Sequence, residues 1–227
     1  MHIEKSGNRG PIVVFVSGLG ADSSAWRAVA GPISDFAQVV RYDRAGLGLS
    51  KPLTAPGRPI TARGVVDALD LLLARAKLRP PFILVGHSLG GLYVQMFARL
   101  HPDEIAAVVL LDSSSTEAPA ELKTLAKLEP GSVDFLEEAG IPESNREVRE
   151  AGLFPSIPLT VIAATDHGPY FREWEPTLMR LQRQLATLSP RGTLVIADGS
   201  GHDVATDRPA LVIAAVRTMA DAVSGHR

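Results

Sequence analysis

Phe82-Ile83-Leu84-Val85-Gly86-His87-Ser88-Leu89-Gly90-Gly91-Leu92-Tyr93-Val94 is the stretch on which the reading of this chain turns. Its first four residues form a short continuous apolar run, the pattern of a strand buried on both faces. After Gly91 the sequence reads as a helix. Between the two lies G-x-S-x-G, and strand, tight turn and helix is the context in which that pentapeptide carries chemistry. A serine on such a turn is held with its hydroxyl projecting and its backbone strained. Gly86 and Gly90 lack the Cβ that would clash where strand and helix nearly touch. The helix N-terminus points free N–H groups and a positive dipole end at negative charge formed beside Ser88. Ser88 is therefore the candidate nucleophile.

The composition of the 227-residue chain is that of an ordinary soluble protein, 45% hydrophobic and 21% charged, which predicts one domain over 1–227. A net charge of −2 without a basic stripe points away from nucleic acid and from anionic membrane surfaces. The absence of cysteine excludes disulfides, thiol catalysis and cysteine metal sites. Met1-His2-Ile3-Glu4-Lys5 does not open a signal peptide, and no apolar run reaches membrane-spanning length. A cytoplasmic protein is the expectation; nothing in the pattern sets an oligomeric state.

Working outward, short Val/Ile/Leu-rich runs at 12–16, 37–42, 82–86, 107–111, 159–163 and 193–197 read as buried strands. Helical patterns at 61–76, 88–100, 173–188 and 207–223 alternate with them, with Ser24 and Asp207 as candidate N-caps. Strand–helix alternation predicts an α/β protein, a mostly parallel sheet with helices on both faces. The rhythm breaks at 113–156, where amphipathic pieces at 120–128 and 133–139 are cut by Pro130-Gly131 and Gly140-Ile141-Pro142. The spacing of Leu122, Leu125 and Leu128 predicts a short packed helical lid there.

Catalytic groups in such a sheet collect at the carboxyl ends of the strands. The first predicted strand runs into Ser17-Gly18-Leu19-Gly20, and the N–H groups of Leu19 and Leu89 could form an oxyanion hole. A serine needs a base, and imidazole serves near neutral pH. Of six histidines, His202, on the small-residue loop Asp198-Gly199-Ser200-Gly201-His202-Asp203, is the candidate base. His2, His101, His167 and His226 lie in terminal or surface-like contexts, and His87 is the variable residue of the turn. The base needs an orienting carboxylate. Asp112 and Asp166 each close a predicted strand. Asp198 is too near His202 along one loop, and Asp22 and Asp203 read as capping or turn residues.

These landmarks together resemble the α/β-hydrolase fold family, in its small esterase- or lipase-like branch. Gly86 to Gly91 is similar to the family's nucleophile elbow, and Ser17 to Gly20 to its His-Gly oxyanion turn, with Ser17 where histidine is usual. Asp43-Arg44-Ala45-Gly46-Leu47-Gly48-Leu49-Ser50 resembles the D-x-R-G-x-G-x-S loop, and Gly201-His202 the family's Gly-His. The Asp43 loop lacks the G-K-[ST] ending of a phosphate loop; the resemblance implies that Asp43 and Arg44 pin it structurally. Only residues 1–11 precede the first predicted strand where the family usually has a hairpin, so six or seven strands are expected instead of eight. The family usually places its acid after the strand ending here near Ala163, so the resemblance favours Asp166, with Asp112 as the alternative.

What the resemblance implies is a serine hydrolase acting on a small-molecule carboxylic ester, with no metal and no organic cofactor. Perhydrolases, lyases and C–C hydrolases use the same triad, and slow-hydrolysing small-molecule receptors share the fold, so these remain alternatives. A carboxylate nucleophile would be needed for dehalogenase or epoxide hydrolase chemistry, and Ser88 argues against both.

Overall fold

The computed structural model describes residues 1–52, 57–122 and 127–224. Among them, seven strands form one sheet: β1 Ile3–Ser6, β2 Ile12–Val16, β3 Gln38–Tyr42, β4 Phe82–His87, β5 Ile105–Leu111, β6 Leu159–Ala164 and β7 Gly192–Ala197. The helices are α1 Arg27–Ser34, α2 Ala62–Arg75, α3 Leu89–Leu100, α4 Val133–Ala139, α5 Ile141–Glu150, α6 Glu175–Ala186, α7 Val204–Asp207 and α8 Pro209–Ser224. The strand order is β1-β3-β2-β4-β5-β6-β7. All pairings are parallel except β1 with β3, where Ile3 faces Tyr42. Six strands match the apolar runs in position, but β7, expected to be buried, is the other edge of the sheet and buries only Ala197, with Ile196 42% exposed. β1 carries one apolar residue in four, because an edge strand needs little burial, and it brings the sheet to the upper of the two expected sizes.

Alternate side chains of each strand serve opposite faces, as the pleat requires. Val13, Phe15, Ile83 and Val85 pack with Trp26 and Ile33 and with Val212 and Val216, so α1 and α8 cover that face. Val14, Val16 and Leu84 pack with Leu69, Leu92, Phe97, Val148 and Leu185 on the other, under α2, α3, α5 and α6. Residues 89–98 of α3 are all buried. A helix apolar on nearly every side lies inside the protein, and α3 contacts the sheet, α2 and α5 together.

β2 lies between β3 and β4. The chain leaves β2 through α1 on one face and leaves β4 through α3 on the other. A crevice therefore opens beyond the carboxyl ends of β2 and β4, which is where an open parallel sheet binds its ligands.

The insertion at 113–156 differs in detail from the sequence expectation. Helix α4 forms where expected. Leu125 and residues 123–126 lie outside the described residues, and the flanks at 120–122 and 127–128 are not helical. Gly140-Ile141-Pro142 does not end the helical region but starts α5, with Pro142 in the first turn. Proline is tolerated there because its missing N–H would have had no intrahelical partner. Ser24 is not an N-cap; Asp22 caps the turn at Ser23–Trp26 by accepting from the Ser24 N–H at 2.8 Å. Asp207 ends the short α7 and its carboxylate accepts the Gly201 N–H at 2.8 Å.

Candidate active site

Ser88 joins β4 to α3 with φ 52° and ψ −124°, a left-handed backbone that a non-glycine residue adopts only under constraint. The constraint is visible. A Cβ on Gly86 would sit 2.7 Å from Gly91 Cα, and one on Gly90 2.1 Å from the Val16 carbonyl oxygen. The Ser88 N–H donates to Leu111 O at 3.1 Å, and the Ser114 N–H donates to Ser88 O at 3.0 Å. The turn is thus stitched to the end of β5. Gln95 and Gln182 hold the segment after β5 from α3 and α6, donating to Ser114 O at 3.0 Å and Ser113 O at 2.9 Å.

His202 lies on the loop between β7 and α7, and its Nδ1 is 2.6 Å from Asp112 Oδ2. Asp112 follows β5 at φ 40°, a conformation aspartate tolerates better than most residues. Its own N–H donates to Ile162 O at 2.8 Å, and its Oδ1 accepts the Ala164 N–H at 3.3 Å. The sequence expectation favoured Asp166 as the partner of His202, and the geometry corrects it. Asp166 turns back on its own loop, where Oδ1 accepts the Gly168 N–H at 3.1 Å. The Thr165 and Asp166 N–H groups both donate to Ser200 O, so the backbone of this segment, not the Asp166 carboxylate, meets the His202 loop. Ser88 Oγ has no hydrogen bond to His202 among the described residues, and catalytic contacts of unliganded sites often tighten only with substrate.

Two further histidines complete the cluster. His87 is buried, and its Nε2 lies 2.9 Å from the His202 carbonyl oxygen, its ring centroid 4.6 Å from that of His202. A carbonyl only accepts, so Nε2 carries the proton. Burial, then the neighbouring His202 charge, push the His87 pKa down to about 4, so it is neutral at working pH. His167 is not in a surface-like context as its sequence suggested. Its side chain is 7% exposed, with Nε2 2.7 Å from the same Asp112 Oδ2 and Nδ1 3.0 Å from Glu175 Oε2. Burial opposes its charge, but hydrogen bonds to Asp112 and Glu175 outweigh it and raise the pKa to about 9. Burial alone would raise the Asp112 carboxyl; the hydrogen bonds from His167 and His202 prevail and hold it well below the usual carboxylate range.

These directions give a stability profile. The unfolded histidine pKa is about 6.5. His167, raised to about 9, stabilises fully below the unfolded value and loses its contribution as pH climbs through 9. His87, lowered to about 4, costs stability as pH falls from the unfolded value toward 4. Asp112 stabilises above the unfolded carboxylate pKa, about 3.9, and its contribution is lost in more acid solution. The denaturation midpoint is expected to peak at about pH 6–7 and to fall on both sides; a flat midpoint from about pH 4 to 9 contradicts these assignments.

The turn at 17–20 is held from two directions. Ser17 Oγ accepts the Trp26 indole N–H at 2.8 Å and donates to Asp22 O at 3.0 Å. Asp43 accepts the Ser23 and Leu49 N–H groups, each at 2.8 Å, which fixes its glycine-rich loop. Arg44 donates to Ser17 O at 2.7 Å and Gly18 O at 2.6 Å. It also meets Glu137 of α4, whose Oε2 accepts the Gly20 N–H at 2.8 Å. The Glu137 side chain is fully buried and that of Arg44 is 7% exposed. The insertion is thereby bolted to the turn that presents Leu19. Neither the Leu19 nor the Leu89 N–H has a hydrogen-bond partner among the described residues. Removing one member of a buried pair strands the other charge, so Glu137→Ala is expected to destabilise the protein by about 3–5 kcal/mol. A urea midpoint shift worth less than about 1 kcal/mol counts against the clamp.

Asp112, His167 and His202 bring three potential metal-ligand atoms within 4.8 Å of one another. The donor set reads as hydrogen bonding. Both ring nitrogens lie 2.6–2.7 Å from one oxygen, too close for a bridging ion to sit between them. Sequence reasoning missed His87, His167, Glu175 and Glu137. The one available signal was His167 directly after the Asp166 strand end; Glu137 reads in sequence as an ordinary charge on an amphipathic helix.

An open parallel sheet with a serine on a strained strand–helix turn and an Asp–His pair on the neighbouring loops defines the hydrolase class of α/β protein. Residues 11–144 match the family model described as alpha/beta hydrolase fold, and the chain belongs to that family. It is 28% identical over 222 residues to the uncharacterized protein YqjL of Bacillus subtilis, covering 93% of this chain and 84% of that one. It is 29% identical over 175 residues to a 2-(acetamidomethylene)succinate hydrolase of Mesorhizobium japonicum, covering 75% of this chain and 58% of the relative. A thermophilic esterase from Thermogutta terrifontis superposes with a TM-score of 0.73 at 20% identity, over 98% of this chain and 93% of the esterase. The family match supports hydrolase activity. No helix among the described residues is long and apolar enough to cross a membrane.

Proposed function

We propose that the chain is a serine hydrolase that cleaves a small-molecule carboxylic ester through an acyl-enzyme on Ser88. The observation that carries this is the strained Ser88 turn beside a His202–Asp112 pair at 2.6 Å. His202 Nε2 takes the Ser88 proton as Oγ attacks the ester carbonyl, and the oxyanion rests on the Leu19 and Leu89 N–H groups. The tetrahedral intermediate expels the alcohol, which receives that proton from His202. Water then attacks the acyl-enzyme with His202 again as base, and the acid leaves. Asp112 holds the imidazole with Nδ1 protonated and stabilises the imidazolium. Neither a metal nor an organic cofactor has a role in these steps.

Covalent catalysis of this kind gives a burst. Mixing enzyme with p-nitrophenyl acetate is expected to release p-nitrophenol stoichiometric with enzyme before the steady state, wherever deacylation is the slower step. Labelling by a fluorophosphonate reports the same nucleophile independently of which step limits. A protein inert to both refutes the reading.

The insertion sets the expected acyl size. It is short, is clamped to the oxyanion turn through Glu137, and supplies the buried Leu136 and half-buried Leu122. The acyl pocket is read as apolar and shallow. Acetate and butyrate esters are expected to show higher kcat/KM than the palmitate ester, and the reverse order refutes the shallow pocket.

A further inference from the structure

We propose that His167, held by Glu175, is a positioning residue that fixes Asp112 against His202, and that its positive charge sets the alkaline limit of turnover. The proposal rests on the reading of Ser88, His202 and Asp112 as a hydrolytic triad.

Asp112 Oδ2 lies 2.6 Å from His202 Nδ1 and 2.7 Å from His167 Nε2, so one oxygen accepts from two rings. On the far side of its ring, His167 Nδ1 lies 3.1 and 3.0 Å from Glu175 Oε1 and Oε2. Ionised carboxylates only accept. Both ring nitrogens of His167 therefore donate, and the ring is an imidazolium. The groups that face it are Asp112 from the end of β5, Glu175 from the start of α6, and His202 from the loop after β7, with ring centroids 6.1 Å apart. On its own loop, the preceding Asp166 is bonded to the Gly168 N–H. Glu175 and His202 reach solvent, their side chains 28% and 48% exposed, but the Asp112–His167 contact is nearly dry, with the His167 side chain 7% exposed and that of Asp112 4%. Water is a poor substitute for a lost partner there.

Two consequences follow for the triad. The Asp112 carboxylate is held by the Ala164 N–H, His167 and His202 together, so it cannot rotate away from the base. The cluster of two carboxylates and one imidazolium carries one negative charge while His202 is neutral. It becomes neutral when His202 takes the Ser88 proton, with Glu175 as the counter-charge to the second cation. Loss of the His167 proton turns a lone pair toward a carboxylate. The ring must then turn, and Asp112 or Glu175 loses its donor. The elevated pKa of His167, about 9, agrees with this geometry.

The test measures kcat/KM on p-nitrophenyl butyrate from about pH 6 to 10 for the full chain and for Glu175→Gln and His167→Gln. The wild-type alkaline limb is expected near pH 9, where His167 titrates. Glu175→Gln removes a carboxylate that favours the charged ring, so the limb moves down by about one pH unit. His167→Gln keeps a donor near Asp112 without the charge. It is expected to lose this limb and to lower kcat about 10- to 100-fold with KM little changed. A side-chain 15N titration of the wild-type protein, with His167 assigned by the signal lost in His167→Gln, is expected to show a midpoint near 9. That readout depends neither on activity nor on the folding of Glu175→Gln. A midpoint near the unperturbed value of about 6.5 overturns the proposal. So does an alkaline limb that Glu175→Gln leaves unmoved while Ser88→Ala abolishes turnover. Undiminished turnover in Ser88→Ala would instead sink the triad reading.

Discussion

Ser88→Ala is expected to remove ester turnover by about 10⁴-fold or more while leaving the fold intact. The alanine keeps the Cβ and loses the one group on the turn that can form the acyl-enzyme. It also leaves the Ser88 backbone contacts to Leu111 and Ser114 unaltered, since these use main-chain atoms only. The left-handed backbone at this position is strained in both proteins, so the denaturation midpoint should change little. Loss of activity with loss of fold would say nothing about chemistry, and circular dichroism of the purified variant separates the two. Near wild-type hydrolysis in folded Ser88→Ala would end the proposed mechanism.

Asp112→Asn carries the second largest expected effect, a fall of roughly 10²–10⁴-fold in kcat. The asparagine amide can point N–H groups at His202 Nδ1 and at His167 Nε2. His202 would then hold its proton on Nε2, the nitrogen that must accept from Ser88, and the wrong tautomer is nearly inactive. The His167 imidazolium would face a donor or a neutral oxygen in place of a carboxylate. Asp166→Asn is expected to change kcat less than about threefold, because its Oδ1 bond to the Gly168 N–H is one that asparagine also makes. If Asp166→Asn proves the crippling change and Asp112→Asn the mild one, the Asp112 assignment is wrong although the hydrolase proposal stands.

The two variants mark where the sequence stopped being readable. Buried parallel strands announce themselves by continuous apolar runs, and β2 and β4 start where the pattern placed them. The elbow was equally plain, because only glycine fits beside Val16 and Gly91. Helix α1 was obscured by Gly31-Pro32 within its span, and α5 by Gly140-Ile141-Pro142, since both motifs more often end helices than accompany them. The acid was undecidable from local pattern. Asp112 and Asp166 both close strands, and the choice depends on how the loops after β5, β6 and β7 pack together. Glu175 was invisible for the same reason, lying eight residues from His167 in sequence and joined to it only by that packing. Glu137 meets Arg44 across 93 positions, a separation over which periodicity carries no information.

The central claim, that Ser88 carries the acyl group, is open to one direct measurement. The protein is mixed with p-nitrophenyl butyrate, quenched in acid within the burst, digested and analysed by mass spectrometry. A butyryl adduct is expected on the peptide containing Ser88, and none on the same peptide from Ser88→Ala. An adduct on another residue, or turnover with no adduct at any quench time, contradicts the account.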